Sequence, residues 1–181
     1  IRDQRGLPPH SGMEPYQNPA LPVGRRLEDL ISRMTLEEKI GQLNMPCAYN
    51  SELGNTLEEK IEGCKKFTEG ILIEGLGPGG GFFTLPNNLL FEGPEQQARY
   101  INELQKIAMG RTRLKIPLLM TEEGTHGLMC SGATIFPEGP ALGSTWNMEL
   151  LERVYETAAR EARAIGIHQL FTLVIEPNRD P

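Results

Sequence analysis

The chain is poor in the residues that build metal sites, disulfide frameworks and polyanion grooves. Its three cysteines, Cys47, Cys64 and Cys130, show no CxxC spacing and no nearby histidine cluster. An odd number cannot all pair internally, so they read as buried structural thiols rather than a zinc site or a disulfide scaffold. Lysine and arginine together number 18 against 24 aspartates and glutamates, a net charge of -6. Without a basic field, nucleic acid is excluded as a natural partner. No apolar run approaches the roughly 18 residues of a membrane span, and the first thirty residues are polar and proline-rich rather than signal-like. At 181 residues the chain is short for a complete α/β barrel, which typically needs about 250.

What is present is organised around Ile116 to Gly127, IPLLMTEEGTHG. Its unbroken apolar run suits a strand buried on both faces of a parallel sheet, starting near Pro117, which cannot donate to a strand ladder. Glu122 and Glu123 then fall at the carboxyl end, where α/β folds place their chemistry. If the strand persists through them, their side chains point to opposite faces, so they are not an acid/base pair. One faces a pocket, where a carboxylate would accept hydrogen bonds from sugar hydroxyls, and the other packs behind the sheet; a salt bridge or loop cap is the plainer alternative.

Around this stretch helix and strand alternate. Residues 1–20 form a proline-rich arm, and Leu27, Leu30, Ile31 and Met34 recur at helical spacing. The hexapeptide TLEEKI occurs at Thr35 to Ile40 and again at Thr56 to Ile61, and each Thr-x-x-Glu predicts a capping box. The second helix carries Leu57, Ile61, Cys64, Phe67 and Ile71 on one face. Gly75 to Gly81 is rich in glycine, but no Lys-Ser or Lys-Thr pair follows. It therefore reads as a turn into a strand from Gly81 to Leu85 rather than a phosphate loop. Pro94 opens a helix that should stop at Gly110, a loop runs to Trp146, and Asn147 caps a long helix ended by Gly166. Leu170 to Ile175 is the last buried strand, delivering Glu176, Asn178, Arg179 and Asp180. This is the pattern of a parallel α/β barrel or a doubly wound sheet. His126 reads as a base, a ligand or a loop histidine, His168 as filling at a strand's entry, and Trp146 as packing or a sugar platform. Arg179 and Asp180 read as an ion pair or part of a site.

IPLLMTEEGTHG, GATIFPEGPALGSTWN, the helix ending EARAIGI and the terminal NRDP together resemble the amino-terminal barrel domain of glycoside hydrolase family 3. The resemblance covers about Leu21 to Pro181. It implies an α/β fold, the amino-terminal part of a (β/α)8 barrel that is incomplete in this chain, over residues 21–181. It also implies a retaining exo-β-glycosidase of carbohydrate metabolism, acting without cofactor or metal on terminal β-xylosides or β-glucosides. Glu123 matches the family's acidic residue three before the His-Gly pair, which holds hydroxyls of the terminal sugar. The longer Glu in place of Asp resembles the xylosidase-like branch. His126 would support that loop, and Arg179 and Asp180 open a motif whose sugar-binding arginine lies further on. The nucleophile and the acid/base are expected outside this stretch, in the remaining barrel and second domain, so the chain alone is expected to be inactive. The partners implied are a mono- or oligosaccharide and those remaining parts of the enzyme. A periplasmic or secreted location is favoured, and a non-catalytic carbohydrate-binding or structural fragment is the alternative.

Overall fold

The computed structural model describes residues 13–89 and 91–172. Three parallel strands lie in chain order: β1 (Gly81–Phe83), β2 (Leu119–Glu123) and β3 (Gln169–Phe171). Among the described residues, seven α-helices surround or connect them: α1 (Val23–Arg33), α2 (Leu36–Gln42), α3 (Leu57–Glu69), α4 (Leu85–Leu89), α5 (Pro94–Arg111), α6 (Gly139–Gly143) and α7 (Met148–Ile165). The fold is α/β with a parallel sheet, consistent with part of a barrel.

Local chemistry sets the helix ends. In both TLEEKI copies the threonine hydroxyl accepts the amide three residues on, and that glutamate reaches back to the threonine amide. Four first-turn donors are thereby satisfied across the two helices. Asn147 accepts the Leu150 amide at the start of α7, and Gly166, at φ 93°, closes its end in the left-handed conformation that glycine adopts without strain.

Register places Gly81, Phe82 and Phe83 beside Leu119, Met120 and Thr121, and Thr121, Glu122 and Glu123 beside Gln169, Leu170 and Phe171. Side chains alternate across a strand. Phe82 and Met120 therefore share one face, which packs on Cys64 and Phe67 of α3, Ile101 and Leu104 of α5 and Ala162 and Ile165 of α7 in a single buried core. Phe83, Thr121, Glu123 and Phe171 share the other. The outer edge of β1 is continued by Pro46 and Cys47, whose carbonyl and bridge meet Phe83.

Several expectations need correcting. β2 begins at Leu119, because Lys115 at φ 54° turns the chain just before Pro117. β1 stops at Phe83: Thr84 takes φ 53°, Asn88 bonds its carbonyl and hydroxyl, and Leu85 opens α4 instead of extending the strand. Ile71 lies beyond α3, which Gly70 ends, and is exposed. α5 passes through Gly110 to Arg111, and the loop before Trp146 contains α6. The described part of the last strand is not buried on both faces; Phe171, on the face opposite the helices, is 47% exposed. Of the cysteines, Cys64 is buried while Cys47 and Cys130 are half-buried, and all three are free thiols.

The glycine-rich turn has a physical role of its own. The Gly77 amide donates to Glu37, Gly79 to Phe67 and Gly80 to Gly41 and Asn44. A Cβ on Gly41 would sit 2.5 Å from the Gly77 carbonyl oxygen, so glycine here allows α2 to lie directly on the backbone entering β1. Amides committed in this way are not available to a phosphate.

Candidate functional site

The end of β2 delivers the two carboxylates to different surroundings. Glu123 stands half-buried on the face away from the helices. Its register neighbour is Phe171, whose ring packs edge-on against Phe83 at 5.0 Å. A carboxylate beside two partly open aromatic rings is an arrangement suited to a polyol: the anion accepts from hydroxyls while the rings meet C–H surface.

Glu122 has no exposed surface at all. One carboxylate oxygen accepts the Glu123 amide at 2.8 Å and the other the Asn87 amide of α4 at 3.1 Å. Burial pushes its carboxyl up to about 7, against the lowering effect of those two amides, and the neighbouring Glu123 charge adds to the rise. Desolvation outweighs hydrogen bonding here because no opposite charge repays the loss of water.

The loop that follows is held by its backbone. Met129 donates to the Glu123 carbonyl, Gly124 to Phe171 and Phe136 to the His126 carbonyl. Gly127, at φ 98°, passes so near the Thr134 carbonyl oxygen that a Cβ would lie 2.3 Å from it. Thr134 in turn donates through its amide and hydroxyl to Glu161 of α7. His126 thus sits in a loop fixed on both sides and close to Glu123 in sequence. Burial, with the charges of Glu122 and Glu161, pushes the Cys130 thiol up to about 11, so it carries no thiolate at neutral pH.

His168 is brought to the sheet rather than to the site. Its amide donates to the Met120 carbonyl, and its Nδ1 accepts the Met120 amide at 3.0 Å, extending the β2–β3 pairing by one residue. Burial lowers its pKa, as an accepting ring nitrogen requires, and Arg163 adds to the effect. Trp146 is 92% exposed at φ 53°, so it packs on nothing among the described residues. Arg179 and Asp180 lie outside the described residues. Among the described residues no group of three or more His, Cys, Asp or Glu is placed to hold a metal ion, and no helix is long and apolar enough to cross a membrane. A cleft of about 340 Å³ between α7 and β3, lined by Tyr155, Arg163, His168 and Leu170, opens on the helix side, away from Glu123.

Sequence reasoning missed Asn87 and the short α4 that presents it. The signal was available in Leu85-Pro86-Asn87-Asn88, where proline suits a first helical turn.

Residues 35–181 match the profile described as the glycosyl hydrolase family 3 N terminal domain. A putative beta-xylosidase from Formosa agariphila is 28% identical over 166 residues, 92% of this chain and 21% of that protein. A periplasmic beta-glucosidase from Salmonella typhimurium is 26% identical over 84% of this chain and 16% of its own length. Among solved structures, a β-glucosidase from Erythrobacter marinus superposes with a TM-score of 0.65 at 31% identity, over 87% of this chain and 19% of that one. The chain therefore spans under a quarter of the length of these relatives.

Proposed function

Because the chain belongs to glycosyl hydrolase family 3, as part of its N-terminal domain, we propose that it supplies strands of a (β/α)8 barrel in a longer retaining exo-β-glycosidase. The substrates are terminal β-xylosides or β-glucosides. The observation that carries this reading is Glu123: a half-buried carboxylate at the carboxyl end of the middle strand, on the face that a barrel would turn inward. Retention requires a nucleophile and an acid/base about 5 to 5.5 Å apart. Glu122 and Glu123 do not fill those roles, since they face opposite sides of one strand. In the proposed enzyme the catalytic pair comes from later in the polypeptide, and this segment binds and orients the non-reducing sugar. The relative from Salmonella typhimurium is named periplasmic, which supports a periplasmic or secreted setting.

Binding by Glu123 works through charge. An ionised acceptor bonded to a sugar hydroxyl contributes roughly 1.5 to 3 kcal/mol, more than a neutral pair. Glu123→Ala in the full-length enzyme should lower kcat/KM on aryl β-xylosides and β-glucosides by about 10- to 100-fold or more. Glu123→Asp withdraws one methylene and should shift preference toward glucosides, which carry the extra hydroxymethyl group, by about 1 to 3 kcal/mol at most. If Glu123→Ala is nearly silent on both substrates, this carboxylate does not bind the sugar.

A further inference from the structure

We propose that Glu122 is a positioning residue for the sugar pocket: its buried carboxylate fixes the backbone of Glu123 and ties the end of β2 to α4. The inference rests on the reading of Glu123 given above and deepens it.

Amides along a parallel strand point alternately to its two neighbours. Met120 and Gly124 donate to His168 and Phe171 on the β3 side, and Leu119 donates to Gly80 on the β1 side. The Glu123 amide therefore points toward β1. But β1 has already ended at Phe83 and the chain has turned into α4, so no strand carbonyl remains to accept it.

Glu122 supplies the missing acceptor at 2.8 Å, and with its second oxygen takes the Asn87 amide at 3.1 Å, where the departing chain begins to coil. Three backbone contacts then surround the pocket carboxylate: Glu122 on its amide, Met129 on its carbonyl and Phe171 on the amide that follows. The Glu122 contact is the one that holds the β1 side. A buried carboxylate with a like-charged neighbour is a costly way to fill space, and the two amides account for its presence.

Proton uptake tests the device. A protonated carboxyl turns one acceptor oxygen into a donor facing an N–H, so the grip loosens as pH falls; burial places that change near neutral pH. Among the described residues, the titratable groups that interact with Glu122 are Glu123 on its own strand and Cys130 from the following loop, with Glu161 of α7 acting on Cys130 in turn. α4 presents only Asn87 and Asn88 as polar side chains.

The experiment measures competitive inhibition by xylose and by glucose in the full-length enzyme at pH 6 and pH 8, for wild type, Glu122→Gln, Glu122→Ala and Glu123→Ala. A displaced pocket group costs up to about 100-fold; here Glu122→Ala should weaken inhibition about 10-fold and Glu122→Gln, which keeps one accepting oxygen, about 3-fold. Wild-type inhibition should weaken toward the Glu122→Gln level at pH 6, while Glu122→Gln changes less with pH. The difference between these two proteins isolates the contribution of Glu122 to the pH dependence. If Glu122→Gln matches wild type at both pH values while Glu123→Ala loses binding, the positioning role is overturned and the Glu123 reading survives. If Glu123→Ala binds both sugars like wild type, the underlying reading falls and this inference with it. Should Glu122→Ala not fold, the wild-type and Glu122→Gln profiles decide the matter.

Discussion

Replacing Glu122 by glutamine should change how stability depends on pH, by an amount the structure sets. The folded carboxyl lies at about 7, against an ordinary value of about 4.3 to 4.5. At 1.36 kcal/mol per pH unit, a shift of about 2.5 units corresponds to about 3 kcal/mol. The sign follows from proton binding. Because the folded value is raised, the native state binds the proton more tightly than the unfolded chain. Its contribution is fully present below about pH 4.5 and is lost as pH rises through about 7. Above pH 7 the wild type must hold a desolvated anion, whereas glutamine stays neutral throughout. The amide leaves one of the two backbone donors facing an NH2 group, a penalty of about 1 to 2 kcal/mol that is the same at every pH. Urea unfolding of the transition containing this domain, at pH 5 and pH 8, reads the difference directly. Relative to wild type, Glu122→Gln should gain about 3 kcal/mol on going from the lower to the higher pH. A difference that stays constant within about 0.5 kcal/mol, or that runs the other way, would refute the claim that burial dominates over the two amide bonds.

Two further substitutions test the packing and the caps. Gln97 of α5 is 1% exposed, and neither polar atom of its amide has a partner among the described residues; Gln97→Leu should therefore stabilise the fold by about 1 to 3 kcal/mol, and a loss of stability in urea would show that the amide is bonded after all. Thr56→Ala removes the hydroxyl that accepts the Glu59 amide and should cost about 1 kcal/mol, visible as a lower unfolding midpoint with unchanged slope; an unchanged midpoint would mean that the box adds nothing to α3.

Short-range chemistry was legible in the residues themselves. Thr35 with Glu38, Thr56 with Glu59, Pro94, Asn147 and Gly166 mark helix boundaries because capping involves atoms within a few residues of one another. The alternation of side chains along a strand likewise separates Glu122 from Glu123 before any fold is known. The placement of charge at the end of an apolar run likewise marks the carboxyl end of β2.

Other features depend on distant parts of the chain meeting. Nothing in TEEG says which glutamate is buried; that is decided by α5 and α7 covering the face of Met120, while Leu119 and Phe171 on the other face stay exposed. His168 could not be read as a ladder acceptor without knowing that Met120 lies opposite it. The bond from Glu122 to Asn87 spans 35 residues and exists because β1 stops two residues before the paired end of β2. Sequence determines the local conformational preferences and the periodic burial of apolar groups, whose causes are steric and local. Tertiary structure decides which polar groups lose their water and which remote amides must replace it, and that desolvation is what separates the environments of two adjacent, chemically identical carboxylates.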